Sequence, residues 1–376
     1  DVRRDATMED FRSFTKLAQS FAVLDSAGGV ICEPNDTPLD SRHLDMTYAL
    51  QTLTDKVYMG NVVSGVNAAD TLAMTSILFG SRETIEEIPA TISLINCNSP
   101  LRWDDRMLEA QFEYSGAAQP VVLTPFILMG AMSPVTIPAA LVQQITEALS
   151  GIALSQLIRP GTPVIFGSFL SNIDMQSGSP TFGTPESGIG LLCTGQIARH
   201  FGLPFRTGGG LTSSQVADAQ AGYEALMTLM PTFLAGANWV MHSAGWLEGG
   251  LVAGYEKFIV DIELLQMLRH EFTPLEIDEA GGWVKRDTAY RYAEYARLVG
   301  EAFGDRVADW VTINEPATLA LEGYTLDVHS PGTALWVVGR SASSSWDAGR
   351  FMAERFSRSS VAVRLPICLA AHSGES

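Results

Sequence analysis

Short apolar runs alternate with longer helical stretches along the first 280 residues. Each run is rich in β-branched and aromatic residues and ends at a cluster of Gly, Pro, Asn or Ser, which is typical of a buried strand. The pattern predicts strands at residues 21–24, 56–60, 91–96, 120–128, 163–169, 203–206 and 237–242. It predicts helices at residues 45–54, 104–114, 137–157, 188–201 and 214–229. Such alternation indicates βαβ units and a parallel sheet.

The repeat of these units predicts an α/β fold. About eight β/α units close a parallel sheet into a TIM-type barrel, and the seven predicted strands come close to that number. We therefore expect an incomplete TIM-type (β/α) barrel over residues 1–280. The alternative is a doubly wound open sheet, which needs a reversal in strand order that a single sequence does not show.

The composition of the chain changes twice after residue 280. Residues 281–335 have an aromatic and charged helical pattern followed by a short apolar run, and we expect a helix–strand fragment of a different β/α barrel there. Residues 336–376 are rich in Ser and Arg and lack lasting apolar periodicity, which predicts a disordered or out-of-frame tail. The chain opens at Asp1 without Met, so we expect a piece of a longer protein.

The charge of the chain argues against two classes of partner. It carries 24 Lys and Arg against 42 Asp and Glu, a formal net charge of −18. Because so acidic a chain repels phosphate groups, we expect neither nucleic acid nor an anionic membrane as a partner. Four scattered cysteines without CxxC pairing predict no metal site and no disulfide framework, and they suit the cytoplasm. We also expect no membrane span, since uninterrupted apolar stretches of about 18 residues are missing.

Polar and aromatic residues follow the predicted strands at the points where the strands end. In a parallel barrel the chemistry takes place at these ends. We expect catalytic or orienting roles for His242, Glu248 and Glu186. The residues that we expect to bind the substrate are Asn96, Asn98, Trp246, Phe182 and Asp218.

Several of these residues also have a structural interpretation. A single His at a strand end is often a hydrogen-bonded structural residue, so both interpretations of His242 stay open. Glu248 is equally suited to capping the stretch that follows it, and Glu186 to the first turn of a helix, where the helix dipole favours an acid. Turn formation alone explains Asn96 and Asn98.

Six phrases in residues 1–280 carry a resemblance to a known family. They are RHLDM at 42–46, ISLINCNSP at 92–100, GAMSPVT at 130–136, FGTPE at 182–186, DAQAGYE at 218–224 and HSAGWLEGGLV at 242–252. In order and in spacing they resemble the trimethylamine/glycine betaine:corrinoid methyltransferase family, in its form without pyrrolysine. The resemblance implies a TIM-type barrel from a methanogenesis-related family. Such an enzyme moves a methyl group from a quaternary or tertiary methylamine, such as glycine betaine, to the cobalt of a corrinoid (cobalamin) on a partner carrier protein.

The chemistry implied by this resemblance sets requirements for the site. A quaternary ammonium has no proton to donate, so a protein holds it with aromatic faces and nearby negative charge. Loss of the methyl group turns the cation into a neutral amine, and the main task of the enzyme is alignment in a dry pocket. Aromatic residues at or near the predicted strand ends are Phe126, Phe166, Phe169, Phe182, Trp239 and Trp246. Each of them suits the core as well as an ammonium cage.

Residues 281–332 resemble a fragment of a second family, the family 1 glycoside hydrolases (β-glucosidases). The matching text includes WVTINEP at 310–316. The resemblance implies an acid/base role for Glu315 and a sugar contact for Asn314. Retaining hydrolysis needs a second carboxylate about 5 Å away, and the family's nucleophile motif is missing, so we expect this fragment to be inactive. The other alternative is a non-catalytic remnant or chimeric gene product that at most binds a methylated amine.

Overall fold

Helices and strands alternate through residues 3–273, which are the residues that the computed structural model describes. The helices are α1 (Met8–Ser20), α2 (Leu39–Leu53), α3 (Gly65–Phe79), α4 (Arg82–Glu87), α5 (Asp105–Gly116), α6 (Ile137–Ile158), α7 (Pro185–His200), α8 (Ala219–Leu234) and α9 (Tyr255–Glu271). The strands are β1 (Ser26–Gly28), β2 (Val57–Tyr58), β3 (Ser93–Cys97), β4 (Val121–Met129), β5 (Val164–Gly167), β6 (Phe169–Ile173), β7 (Pro180–Thr181), β8 (Phe205–Gly208), β9 (Trp239–Met241), β10 (Trp246–Leu247) and β11 (Val252–Ala253). The predictions for residues 281–376 lie outside this range.

The parallel strands are hydrogen bonded in chain order. β1 pairs with β2, and a bridge between Met59 and Ile92 continues the sheet to β3. β3 pairs with β4, β4 with both β5 and β6, β5 with β8, and β8 with β9. β7 and β11 are antiparallel partners of β6 and β10. A doubly wound sheet requires a reversal of strand order, and residues 3–273 contain none.

The alternation of side chains along the strands separates two sides of the sheet. Ile95, Val121 and Leu123 pack in one cluster with residues of the helices α3 and α5. Their neighbours Leu94 and Val122 pack instead with Met59, which follows β2, and with side chains from β5 and β9. Inward side chains from the β2 end and from β9 therefore meet, which shows that the sheet is strongly curved. We call the side of Leu94 and Val122 the interior.

The first and last described helices pack against each other on the side between β1 and β9. Phe14 in α1 stacks on Tyr255 in α9, with 4.4 Å between the ring centroids. The ring centroid of Phe258, also in α9, lies 6.0 Å from that of Phe14. Leu24 beside β1 and Val240 in β9 pack in the same cluster. This cluster joins the two ends of the sheet without backbone pairing between them.

One predicted strand was wrong, and a second is interrupted. Residues 21–24 form a turn whose side chains Phe21 and Leu24 pack in the α1–α9 cluster, so their apolar character reflects burial of a turn. The strand lies at Ser26–Gly28, where small residues pair through the backbone with β2. The run at 163–169 is broken at Ser168, where β4 changes its partner from β5 to β6.

Helix starts are displaced from the predictions because capping residues set them. α8 was predicted from residue 214, but it begins after Asp218, whose carboxylate accepts the amide hydrogen bond of Ala221. The preceding loop is held by Glu224, which accepts hydrogen bonds from Thr212 Oγ1 and from the Ser213 amide, both at 2.7 Å. α7 begins at Pro185 after a Thr184 cap, three residues earlier than predicted.

Within residues 3–273, α6 is the one helix whose length and composition would allow it to cross a membrane. It contains fully buried polar residues that contact the sheet and the next helix. Gln144 donates to Thr194 Oγ1 at 3.0 Å and accepts from Ser168 Oγ at 2.9 Å, and Glu147 accepts from the Leu101 amide at 2.8 Å. These contacts are those of a core helix packed on a sheet.

Candidate active site

A cavity of about 250 Å³ opens at the carboxyl ends of β1, β2, β3 and β9. Asn61 and Asn96 lie on one side of it, and Trp239, His242 and Trp246 on the other. Much of the remaining lining is apolar, including the interior residues Met59 and Leu94. The position is the one at which parallel barrels place their chemistry.

His242 directly follows β9 and has a left-handed backbone with a φ of 55°. Such a conformation is uncommon for a residue other than Gly, and it turns the imidazole towards Arg206. Arg206 Nη2 lies 3.4 Å from His242 Nδ1. Burial, together with the charge of Arg206, lowers the pKa of His242 to about 3, so the ring is neutral at pH 7. Because a guanidinium only donates, Nδ1 accepts and Nε2 carries the proton.

Arg206 in β8 is a fully buried cation, and it forms no ion pair with any described residue. Its Nη1 donates to the Ser168 carbonyl at 3.3 Å, and burial lowers its pKa to about 9. Phe205 beside it packs outward against α6 and α7, so Arg206 points into the interior. Arg206 is not among the site residues predicted from the sequence. A usable signal was present, namely a cation directly after the apolar run at residues 203–205.

Aromatic rings form a continuous group next to the cavity, which we call the aromatic cluster: Phe126, Phe169, Phe182, His242 and Trp246. Phe169 lies at its centre, with ring centroids 4.8 Å from Phe126, 5.8 Å from Phe182 and 6.4 Å from His242. Trp246 lies 5.1 Å from His242 in an edge-to-face arrangement. The structure thus brings together three residues that were predicted from the sequence to lie in one site: Phe182, His242 and Trp246.

The three acidic residues that the sequence analysis selected are engaged outside the cavity lining. Glu248 forms an ion pair with Arg3 at 2.8 Å. Glu186 is exposed in the first turn of α7 and accepts from Asn172 Nδ2 at 3.0 Å. Asp218 is the exposed N-cap of α8, and hydrogen bonds from backbone amides lower its pKa. Glu186 thus lies in the first turn of a helix, as its structural interpretation expected, whereas Glu248 pairs with Arg3 and not with the backbone of the stretch that follows it.

The two selected asparagines are placed differently. Asn96 is half-buried in β3 and lines the cavity. Asn98 is exposed in the loop that follows. Its backbone amide donates to the Arg102 carbonyl at 2.7 Å, and its side-chain Oδ1 accepts from the Asp104 backbone amide at 3.2 Å. Asn98 therefore shapes a turn. Glu315 and Asn314 lie outside the described residues.

A buried ion pair supports the loops that carry the site. Lys257 and Asp261 in α9 are fully buried, with Nζ 2.5 Å from both carboxylate oxygens. Lys257 also donates to the Gly210 carbonyl at 2.8 Å, and Asp261 accepts from the Gly245 amide at 2.8 Å. A Cβ at Gly210 would lie 2.7 Å from the Ser243 carbonyl oxygen, so only glycine allows the two loops to approach this closely. The pair therefore links the loop after β8, which contains Gly210, to the loop after β9, which contains His242 and Gly245.

The lowered pKa of His242 predicts a pH-dependent stability that His242→Asn removes. An unfolded His titrates near 6.5, so between about pH 3 and 6.5 the unfolded chain binds a proton that the folded chain excludes. The free energy of unfolding therefore falls as the pH drops through this window. In His242→Asn, the slope of the free energy of unfolding against pH should be smaller by up to about 1.4 kcal/mol per pH unit. Asn tolerates the left-handed backbone and keeps an acceptor for Arg206. Urea unfolding from pH 4 to 7 measures both slopes, and equal slopes would refute the prediction.

Comparison with known proteins relates this chain to two families. The trimethylamine methyltransferase (MTTB) family matches residues 1–284, and the glycosyl hydrolase family 1 matches residues 256–355. Both resemblances found in the sequence are thereby confirmed. The chain also resembles a solved dihydropteroate synthase from Coxiella burnetii, with a TM-score of 0.44 and 13% identity over 70% of this chain and 86% of that one.

Curated relatives of the chain carry methyltransferase names. A glycine betaine methyltransferase of Desulfitobacterium hafniense is 42% identical over 279 residues, which are 74% of this chain and 58% of the relative. A trimethylamine methyltransferase of the same species is 27% identical over 86% of this chain and 69% of its own length. A proline betaine:corrinoid methyltransferase of Eubacterium limosum is 28% identical over 71% of this chain and 57% of its own length. The chain thus spans little more than half of the first relative. By its match over residues 1–284, the chain belongs to the trimethylamine methyltransferase (MTTB) family.

Proposed function

We propose that this protein transfers a methyl group from a quaternary or tertiary methylamine to a corrinoid on a partner carrier protein. The observation that carries the proposal is the aromatic cluster beside the cavity at the strand ends. Such rings bind methylated ammonium groups through their negative faces. The names of the relatives, which include glycine betaine, proline betaine and trimethylamine, support the same reaction.

The residues of the cavity suit this chemistry. The methyl group leaves the nitrogen, which keeps the electron pair of the broken C–N bond, and bonds to the nucleophilic cobalt of the carrier's corrinoid. Positive charge disappears from the nitrogen in this step, so excessive stabilisation of the cation would slow it. His242 is neutral and adds no charge beside the amine. The apolar lining from Met59, Leu94 and Met241 limits access of water to the reacting bond.

We also propose that residues 3–273 belong to an incomplete TIM-type barrel, which the chain-order pairing of β1 to β9 supports. The corrinoid enters as a substrate on its carrier protein. The protein works in the cytoplasm, because the reaction uses a reduced corrinoid and a reducing compartment maintains it.

The test is a turnover assay of the full chain. Glycine betaine labelled with ¹³C in its methyl groups is incubated with the chain and a reduced corrinoid carrier protein, and dimethylglycine is followed by NMR. We expect a stoichiometric release of dimethylglycine that requires both proteins. The matched control omits the chain and keeps the carrier. Binding of glycine betaine without any dimethylglycine would identify the non-catalytic alternative and contradict the proposal.

A further inference from the structure

The parallel sheet divides at Ser168, where the chain passes from β5 to β6. Before this point β5 pairs with β8, and the Ser168 amide still donates to the Arg206 carbonyl at 2.9 Å. After it, β6 pairs with β4 and β7, and it has no pairing with β8. β6 and β8 therefore separate towards their carboxyl ends. Close packing requires side chains from the sheet and from the helices α7 and α8 to fill the space between them.

A small cavity of about 20 Å³ remains in this space, and we call it the β6–β8 cavity. Its lining includes Leu170 in β6, Thr207 in β8, Ser187 in α7 and Thr228 in α8. All of its lining residues except Gly183 are buried, and none of them is charged. A cavity needs roughly 10–15 Å³ to hold one water molecule, so the size of this cavity fits a single water.

The Thr207 hydroxyl distinguishes this lining from an ordinary packing defect. Thr207 is fully buried, and its Oγ1 has no hydrogen-bond partner within residues 3–273. Phe205, two residues earlier, packs against α6 and α7, so the alternation along β8 directs Thr207 to the same helix side. Buried polar groups are nearly always hydrogen bonded, since burial without a partner is costly. The Thr207 hydroxyl therefore indicates a ligand in the cavity that it lines.

Two other hydroxyl groups of the lining have already donated their protons. Ser187 Oγ donates to the Leu170 carbonyl at 2.8 Å, and Thr228 Oγ1 donates to the Glu224 carbonyl at 3.0 Å. Each of these oxygens can only accept a further hydrogen bond. The lining thus offers one hydroxyl that is free to donate and two oxygens that are free to accept. A water molecule has two protons and two lone pairs and matches this set, whereas a metal cation would find no carboxylate to balance its charge.

We propose that Thr207 holds a buried water molecule that bridges β8 to the helices α7 and α8. The water accepts from Thr207 Oγ1 and donates to the oxygens of Ser187 and Thr228, which gives it the roughly three hydrogen bonds that are typical of buried waters. Phe169 and Phe182 line the same cavity, so the water lies against two rings of the aromatic cluster. It completes the packing behind these rings at the point where the sheet divides. The inference is independent of the methyl transfer proposed above.

Thr207→Val tests the water site by the sign of its effect on stability. Val has the shape of Thr and lacks the hydroxyl. With the water bound, the variant removes its donor, and we expect the equilibrium constant for folding to fall about 3- to 10-fold in urea unfolding at pH 7. Without a bound water, the variant would replace an unpartnered buried hydroxyl with a methyl group, and the constant would stay equal or rise. An equal or higher constant would overturn the proposal.

Thr232→Val is the matched control. Thr232 is also fully buried, and its Oγ1 donates to the Gly208 carbonyl at 3.0 Å. This variant gives the cost of removing a partnered hydroxyl from the same region, and we expect it to lower the folding constant by a factor similar to that of Thr207→Val.

A high-resolution crystal structure of the unmodified full chain gives a second measurement, which does not depend on whether a variant folds. We expect electron density for one water molecule at about 2.7–3.0 Å from Thr207 Oγ1. An empty β6–β8 cavity, or an ion in the place of the water, would overturn the proposal.

Discussion

Lys257→Met is expected to lower the free energy of unfolding by about 3–5 kcal/mol. The change leaves Asp261 fully buried without its cation, and it removes the donor to the Gly210 carbonyl. Burial raises the pKa of Asp261 and lowers that of Lys257, and the charge of each residue opposes the shift of the other. Urea unfolding at pH 7, followed by tryptophan fluorescence, measures the loss.

The double variant Lys257→Met/Asp261→Leu is the matched control. It removes both charges together, so the penalty for a single buried charge disappears. We expect it to be clearly more stable than Lys257→Met, although the Gly245 amide loses its acceptor. Unfolding curves for Lys257→Met that coincide with those of the unmodified chain would show that the pair does not hold these loops.

Phe169→Ala is expected to cost about 3–5 kcal/mol of stability and to abolish measurable binding of glycine betaine. The ring is buried at the centre of the aromatic cluster, where it contacts Phe126, Phe182 and His242. Its removal leaves a cavity and separates the remaining rings. Chemical denaturation gives the stability, and calorimetry gives the binding.

Phe169→Leu separates the two effects. Leu restores most of the apolar volume, so the stability loss should be much smaller than for Ala. The aromatic face is missing, and an ammonium–ring contact is worth about 0.5–2 kcal/mol, so we expect betaine affinity to fall roughly 2- to 30-fold. If Phe169→Leu binds glycine betaine as tightly as the unmodified chain, Phe169 does not contact the quaternary nitrogen.

The sequence predicts a strand well when the strand is buried and its residues are therefore mostly apolar. β4 is buried on nearly its whole length, and its apolar run gave its bounds to within one residue. β1 is the opposite case, because Ser26–Gly28 pairs through the backbone and has no apolar signal. The nearby apolar residues Phe21 and Leu24 are partly buried in a cluster with residues of α9, which is distant in sequence. Local composition does not contain that contact.

The residues of the candidate site also fall into those that the sequence predicts and those that it does not. His242 and Trp246 were selected from one short phrase, and the structure places them in contact. Asp218 belonged to a similar phrase, yet the capping of α8 accounts for its contacts. Arg206 was missed because its importance depends on the register of β5, β8 and β9, which sets its neighbours across three strands. That register is a tertiary property.

The packing of α1 against α9 has a consequence for synthesis on the ribosome. Phe14 and its stacking partner Tyr255 are separated by most of the described chain. At roughly 5–20 residues per second, the apolar face of α1 waits on the order of 10 to 50 s before α9 has been translated. During that time Phe14 and Ala18 are exposed on the nascent chain, which makes them a target for chaperones that bind emerging polypeptides. The ends of the sheet are therefore joined only at the last step of translation of this unit.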